Sequence, residues 1–390
     1  MRILFYLPLA RRWMLENVVE PMIAKLAPLA EVHVMIPDAW MERASGAWRR
    51  DVTWHPFEVD LGDRDPLGTS GPAPRILEAA AAIAPDHCLC RSADPSLPDH
   101  LPGQVRYIME ASAPPFRLGT HWVSLQPQIF DHGLVPDLPP ETRSALIALI
   151  APVWRDVERA HPRDPSWRRR NGLPEDRRIV ALPLDYEHRD NLFGIHRAVR
   201  PNAALAAGLA DRMGERLFLA VTDHPLNIQF VDRSALVAAL EARPGEARLL
   251  PPPVEGGDVT NALVQHSDAM IVGDSKCFAA AAFHGKPLLR QSRFATGSWL
   301  RAYGDLDRFA ADLAAGEAVA PEREDAMVWF AYYLAAQAFP PRDSEVTGAE
   351  ILERIAGGFG PGRWTEAFAR VTRLKREERG LPPAAKERSS

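Results

Sequence analysis

Ser267-Asp268-Ala269-Met270-Ile271-Val272-Gly273-Asp274-Ser275-Lys276-Cys277 leads through an alanine-rich run to His284-Gly285-Lys286-Pro287. Ala269 to Val272 are apolar without alternation, the pattern of a strand buried on both faces of a parallel sheet. Gly273 permits a sharp turn. Asp274 or Ser275 is then expected as the N-cap of a helix from Cys277 to Phe283. Gly285 stands where that helix stops, and Pro287 follows it. Strand, tight turn, helix and strand make the repeating unit of an α/β protein. The helix start suits a phosphate, because its first N–H groups are unpaired and carry partial positive charge. The same pattern is also an ordinary α/β connection, and the local sequence leaves both readings open.

Similar units extend in both directions. Upstream, strands are expected at Arg178 to Leu184, Leu217 to Val221 and Ala247 to Leu250. Helices are expected at Pro201 to Met213, Ser234 to Ala242 and Val259 to Gln265. A strand at Lys286 to Leu289 and long helical segments at Glu322 to Ala338 and Gly348 to Leu374 follow. The N-terminal part repeats the logic: strand Arg2 to Pro8, helix Trp13 to Leu29, strand Glu31 to Ile36. Further strands are expected at Thr53 to Val59, Asp86 to Cys90 and Arg106 to Glu110, with helices at Ile76 to Ile83 and Glu141 to Trp154. Ala113 to Pro140, rich in Pro, Gly and aromatics, reads as surface loops. His161 to Glu175, with three prolines and Arg168-Arg169-Arg170, reads as a linker. The expected domains are therefore residues 1–160, the linker 161–175, a second domain 176–320, and helices with a frayed tail over 321–390.

The whole chain sets bounds on function. It has 390 residues, 46% of them hydrophobic, and a net charge of −5, which leaves no general footprint for nucleic acid. No apolar run reaches membrane-spanning length. Arg11 and Arg12 follow the first apolar run, which is read as a core strand and not as a signal peptide. Cys88, Cys90 and Cys277 form no disulfide framework, so a reducing cytoplasm is expected. His87, Cys88 and Cys90 match no usual zinc spacing.

In parallel α/β sheets ligands bind beyond the C-terminal ends of the strands. That rule selects Glu110 in the first half. In the second half it selects Leu182-Pro183-Leu184-Asp185 with Asp190 and Asn191, then Asp223-His224-Pro225, then Gly273-Asp274-Ser275-Lys276. Each alone also reads as a turn or a solvated loop. In this order they resemble the capsule polysaccharide biosynthesis family of GT-B glycosyltransferases, which includes bacterial Kdo transferases. Gly285-Lys286-Pro287 and the aromatic helix Trp329 to Leu334, before Gln337, are similar to that family as well. The likeness covers about Ile179 to Ala338. The His224-Pro225 pair also resembles bacterial sialyltransferases, and the strand–turn–Ser275–helix pattern resembles teichoic-acid glycerophosphotransferases.

The resemblance implies a GT-B-like fold: two doubly wound Rossmann-like domains facing a cleft, with C-terminal helices. It implies a nucleotide-sugar donor, CMP-linked, bound in the second domain as a substrate, with no cofactor and no metal. Leu184, Asp190, His224, Pro225, Asp274, Ser275 and Lys276 would line that site, His224 and Ser275 meeting the leaving phosphate. The acceptor would be a glycan or glycolipid of a bacterial surface polysaccharide. The chain would then be cytoplasmic, with peripheral contact at the inner membrane face or with the polysaccharide assembly machinery. Two departures from the family pattern stand out. Asp274 occupies a position where the family has a small hydroxyl residue, and a carboxylate there repels a phosphate unless it points away or Lys276 compensates. The family's acidic-acidic-Gly motif is reduced to Met109-Glu110-Ala111, which leaves Glu110 as the candidate base and equally as a plain loop carboxylate. Two other functions fit the same residues: a CDP-glycerol-type glycerophosphotransferase, and a catalytically silent sugar-nucleotide-binding partner. His121, Gln126, Gln128, Asp131 and His132 are further candidates for acceptor contact.

Overall fold

The computed structural model describes residues 1–9, 12–38, 41, 52–58, 73–118, 121–188, 191–197, 199, 201–252 and 258–378. The chain divides into two compact units. The first comprises Met1–Ser112, Leu118–Asp131 and Ala331–Ser390, the second Ala113–Arg117 and His132–Phe330. In chain order the strands are β1 (Arg2–Tyr6), β2 (Glu31–Pro37), β3 (Val52–Phe57), β4 (His87–Cys90), β5 (Gln104–Glu110), β6 (Val123–Gln126), β7 (Arg178–Pro183), β8 (Leu217–Thr222), β9 (Ala247–Leu249), β10 (Ala269–Val272), β11 (Leu288–Arg290) and β12 (Ala338–Phe339). The α/β class expected from the sequence is present in both units.

The first unit is built on a sheet ordered β12-β6-β5-β4-β1-β2-β3. β1 to β5 are parallel, whereas β6 pairs antiparallel with β5 and β12 antiparallel with β6. Ile3 to Tyr6 are all buried, as a strand covered on both faces requires. Met22, Ile23 and Leu26 of the helix Glu20–Leu26 pack into one core with Ile3, Phe5, Val32 and Val34. Each such side chain contributes roughly 1.5–3 kcal/mol by leaving water. Ile351 and Ile355 of the helix Gly348–Ala356 join the same core.

Two sequence expectations fail here. The stretch expected as loops contains β6, whose polar Ser124 and Gln126 are buried and bonded to each other at 2.8 Å. The long aromatic helix ends earlier than expected: after Arg323–Tyr332 comes one wide turn, Tyr333–Gln337, and Ala338 is already in β12.

The second unit carries a fully parallel sheet ordered β11-β10-β7-β8-β9. Its core joins Val180, Leu182, Leu219, Val221, Ala269 and Ile271 from the strands to Leu209, Leu236 and Phe309 from helices. Trp154, within the helix Pro140–Ala160, packs in an aromatic cluster with Phe116, Phe283 and Phe330 through tilted and edge-on contacts. In the segment expected as a linker, Arg168 donates to the His266 carbonyl at 2.6 Å and to Asp268 at 2.9 Å. Gly285, at φ +60°, stops the helix Phe278–Phe283 as expected, and the Lys286 N–H returns to the Ala281 carbonyl.

Candidate functional site

The strand order of the second unit locates its binding crevice. From β7 the chain proceeds to β8 and β9 on one flank, then crosses to β10 and β11 on the other. The reversal falls between β7 and β10, and ligands of open parallel sheets bind at such switch points, beyond the carboxyl ends. Leu184 and Asp185 follow β7, and Gly273 to Lys276 follow β10. The two ends approach closely: a Cβ on Gly273 would lie 3.1 Å from Asp185 Oδ2. Any other residue there would press on that carboxylate.

Buried amides hold the β7 end in place. The Asp185 carbonyl accepts from the side chains of Asn202 and Asn227, each at 2.9 Å. Asn227 also accepts from the Glu187 N–H at 2.9 Å and donates to Asp223 at 2.8 Å. Leu184 is buried and extends the pairing of β7 with β8 through its N–H to Thr222. Asp185 itself has Arg197 at 4.0 Å. Burial pushes its carboxyl up to about 6, against the attraction of Arg197 and with help from Asp274. A carboxyl with that acidity exchanges protons near neutral pH.

Asp274 points away from the turn. Its Oδ1 accepts from the Ser292 hydroxyl at 2.5 Å and lies 3.8 Å from both Arg290 and His132. Burial raises its pKa, opposed by Ser292, Arg290 and Arg293. Arg290 is itself buried, 3% exposed, and donates to His132 Nδ1. Its Nε and Nη1 have no hydrogen-bond partner among the described residues. Burial lowers its pKa to about 10 despite the two nearby carboxylates. Burial and then Arg290 drive His132 down to about 2, so its ring stays neutral.

His224 follows β8 and caps the helix Pro225–Phe230, with Pro225 in its first turn. The His224 Nδ1 accepts from the Leu226 N–H at 3.2 Å, so the neutral ring carries its hydrogen on Nε2. Burial lowers the His224 pKa, and Asp223 opposes that shift. Asp223 is spoken for: Arg233 donates to its second oxygen at 2.6 Å. His224 is thus a neutral N–H donor in a fixed orientation.

At β10 the capping expectation needs correction. The helix runs Phe278–Phe283, its N-cap is Cys277, and no side chain caps it. Ser275 instead accepts from the Cys277 N–H at 3.3 Å, closing a small turn of its own. A helix of six residues carries little dipole, so the turn's hydroxyl and N–H groups, more than the helix, are what it offers a ligand. The Lys276 carbonyl accepts from Ala279 within the same turn. Asp190 lies outside the described residues. The structure therefore brings Leu184, His224, Pro225, Asp274, Ser275 and Lys276 to the ends of three adjacent strands.

Glu110 ends β5 in the first unit. Arg91, which follows β4, donates to its carboxylate at 2.5 Å and to the Ile108 carbonyl at 3.0 Å. Nearby, the Tyr333 hydroxyl accepts from the Ser112 N–H at 3.1 Å, and Gln337 donates to Asp131 at 2.9 Å. Gln126 and Asp131, named as acceptor candidates, bond to each other through the Asp131 N–H. Cys88 is a buried thiol pushed up to about 12 by burial. Among the described residues no group of three His, Cys, Asp or Glu is arranged to hold a metal ion, and no helix is long and apolar enough to cross a membrane.

Sequence reasoning named Asp185 only as part of a motif and missed Asn202, Asn227, Arg290, Ser292 and Arg91. Arg290 had a usable signal, since it ends β11 as Ser275 follows β10. The buried asparagines had none, because a helix-borne amide looks solvent-facing until the fold closes over it.

No family model matches the sequence, and no curated protein matches it at a significant level. Solved structures do show likeness. The KpsC beta Kdo 2,7 transferase of Thermosulfurimonas dismutans is 8% identical, over 92% of this chain and 99% of that one, with a TM-score of 0.44. The lipopolysaccharide outer core galactosyltransferase WaaB is 10% identical over 92% and 99%, with a TM-score of 0.37. A Listeria monocytogenes protein described as a UDP-N-acetylglucosamine 2-epimerase is 13% identical over 98% of both chains, with a TM-score of 0.32. Superpositions this loose carry no argument about activity.

Proposed function

We propose that the protein is a GT-B glycosyltransferase that moves a sugar from a CMP-linked, Kdo-like donor to a bacterial surface polysaccharide or glycolipid. It would act without a metal, in the cytoplasm, with peripheral contact at the inner membrane face. One observation carries this reading: Asp185, His224 and Ser275 follow three adjacent parallel strands, β7, β8 and β10, around the switch point of one sheet.

Departure of the nucleotide builds negative charge on its phosphate. Fixed donors that need no reorganisation stabilise such charge most effectively. His224 Nε2–H supplies one, and the Ser275 hydroxyl a second, with Lys276 adding a cation in the same turn. Asp274, drawn to Ser292 and Arg290, leaves that turn open to a phosphate. Glu110 remains the candidate base for the acceptor hydroxyl, its carboxylate oriented by Arg91. Asp185 has the acidity of a group that takes up a proton near neutrality.

Calorimetric titration with CMP, CDP, UDP and GDP tests the donor, followed by hydrolysis assays with CMP-Kdo and CDP-glycerol. The expected result is preference for CMP and turnover of CMP-Kdo. Failure to bind any nucleotide overturns the reading. Turnover of CDP-glycerol alone moves the protein to the glycerophosphotransferases, and CMP binding without turnover makes it a silent partner.

A further inference from the structure

A cavity of about 440 Å³ opens in the second unit beside the N-terminal end of β11, at the opposite end of the strands from the site above. Its wall includes Arg163, Lys286, His284, Phe283, Glu158 and Arg323. The charges are unevenly matched. Arg323 and Glu158 satisfy each other through two contacts of 2.9 and 3.1 Å, and Trp154 steadies Glu158 at 3.0 Å. Lys286 is partly buried, and its Nζ donates to the Ser267 carbonyl at 2.7 Å, an acceptor that leaves its charge uncompensated. Arg163 makes no ion pair or hydrogen bond through its side chain among the described residues. Asp268, the carboxylate that favours the Lys286 charge, is bonded to Arg168.

Two cations thus share a partly enclosed space without a carboxylate of their own. Burial, and then repulsion by Arg163, brings the Lys286 pKa down to about 8. Its neighbour His284 is held neutral: burial takes it to about 3, and its Nε2 faces Asn261 at 3.1 Å. An incoming dianion would relieve this repulsion. Phe283 supplies an apolar wall, and the volume is in the range of pockets that hold small molecules.

We propose that this cavity is a second anion site, which takes a phosphate monoester of sugar size between Arg163 and Lys286. The site stands apart from the strand-end turn, and its existence does not depend on the nucleotide reading. The Gly285-Lys286-Pro287 motif then has two parts: Gly285 ends a helix, and Lys286 presents its ammonium to the cavity.

The test is titration of the full chain with glucose 6-phosphate, followed by ³¹P line broadening and calorimetry, with glucose as the neutral control. Saturable binding is expected for the phosphate ester and none for glucose. Arg163→Gln, at an exposed position, and Lys286→Gln should each weaken binding at least tenfold and leave CMP titration unchanged. Arg163→Gln serves as the decisive variant if Lys286→Gln lowers the melting temperature. Absence of binding, or binding unchanged by Arg163→Gln, overturns the proposal. So does displacement of the ester by saturating CMP, which would assign it to the strand-end turn. Binding to phosphatidic acid vesicles but not to glucose 6-phosphate would place the phosphate on a lipid and overturn the small-molecule assignment.

Discussion

Asp185→Asn should make the protein more stable and less active, and the gain should depend on pH. The folded carboxyl titrates at about 6, against an ordinary value of 3.8. The folded state therefore holds the proton more tightly than the unfolded chain does. Below about pH 4 the group is protonated in both states and contributes nothing. Between about pH 4 and 6 the unfolded chain ionises while the folded carboxyl keeps its proton, so stability falls across that window, and above pH 6 the penalty is complete. About two pKa units at 1.36 kcal/mol each give roughly 3 kcal/mol. Asparagine has nearly the same shape and no charge, so it removes the penalty at every pH. Arg197 at 4.0 Å and Arg290 lose an attraction, but the net upward shift already includes them. Urea unfolding of wild type and variant at pH 4 and pH 7.5 reads the effect. The midpoint of the transition should rise by the equivalent of roughly 2–3 kcal/mol at pH 7.5 and hardly move at pH 4. Turnover of the nucleotide sugar should fall in the same variant, the signature of a residue kept for function at a cost in stability. Loss of stability at pH 7.5 would refute the reasoning, because it would make the carboxylate a structural partner of Arg197.

Three further outcomes are expected. His224→Asn keeps an N-cap acceptor and should melt like wild type, whereas His224→Ala should lose about 1 kcal/mol; both should lose turnover, measured by hydrolysis, more than CMP affinity, measured by calorimetry, because neither has the Nε2 donor. Asp274→Asn removes a second carboxylate whose pKa burial raises against Ser292, Arg290 and Arg293, so by the same linkage it should not lower stability at neutral pH in denaturant titration. In the first unit, burial of Glu350 opposes its ionisation, but bonds from Arg370 and Arg354 outweigh that and hold its pKa below the usual value. That stabilisation is present above the usual carboxylate range and is lost as pH falls, so Glu350→Gln should cost about 3–5 kcal/mol at pH 7 and progressively less towards pH 3.

The strands that build the site were legible because an apolar run ending in Gly, Asp or His has few alternatives in an α/β chain. Ala269–Val272 was found to the residue, and β7 and β8 to within one residue at the C-terminal end. β6 was hidden because its Val-Ser-Leu-Gln alternation is only four residues long and lies in a stretch rich in Pro, Gly and aromatics, and because its polar residues are buried and bonded to each other, which shows only in the fold. β12 was hidden because it is two residues long and only Gln337 separates it from the apolar run of the preceding helix. The helix Leu306–Ala315 was overlooked despite an Asp305 cap and a terminal Gly316 at φ +82°. The order of strands in the sheet, which fixes the switch point, depends on long-range pairing, and no local pattern in one sequence encodes it.

That strand order also resolves the conflict posed by Asp274. Taken alone, a carboxylate in the turn after β10 argues against a phosphate there. In the fold its oxygen is 2.5 Å from Ser292 and 3.8 Å from Arg290. Both contacts draw the carboxylate towards the residues at the end of β11. Arg290 is then neutralised from within, and the strand-end site keeps little free positive charge. On the proposed reading, the donors facing the leaving phosphate are chiefly neutral ones, His224 Nε2–H and the Ser275 hydroxyl, with Lys276 beside them. Neutral dipoles gain more than they lose as charge grows on a ligand, so they favour the departing phosphate over the bound donor. A site arranged in this way should bind CMP modestly and depend on His224 more for turnover than for affinity.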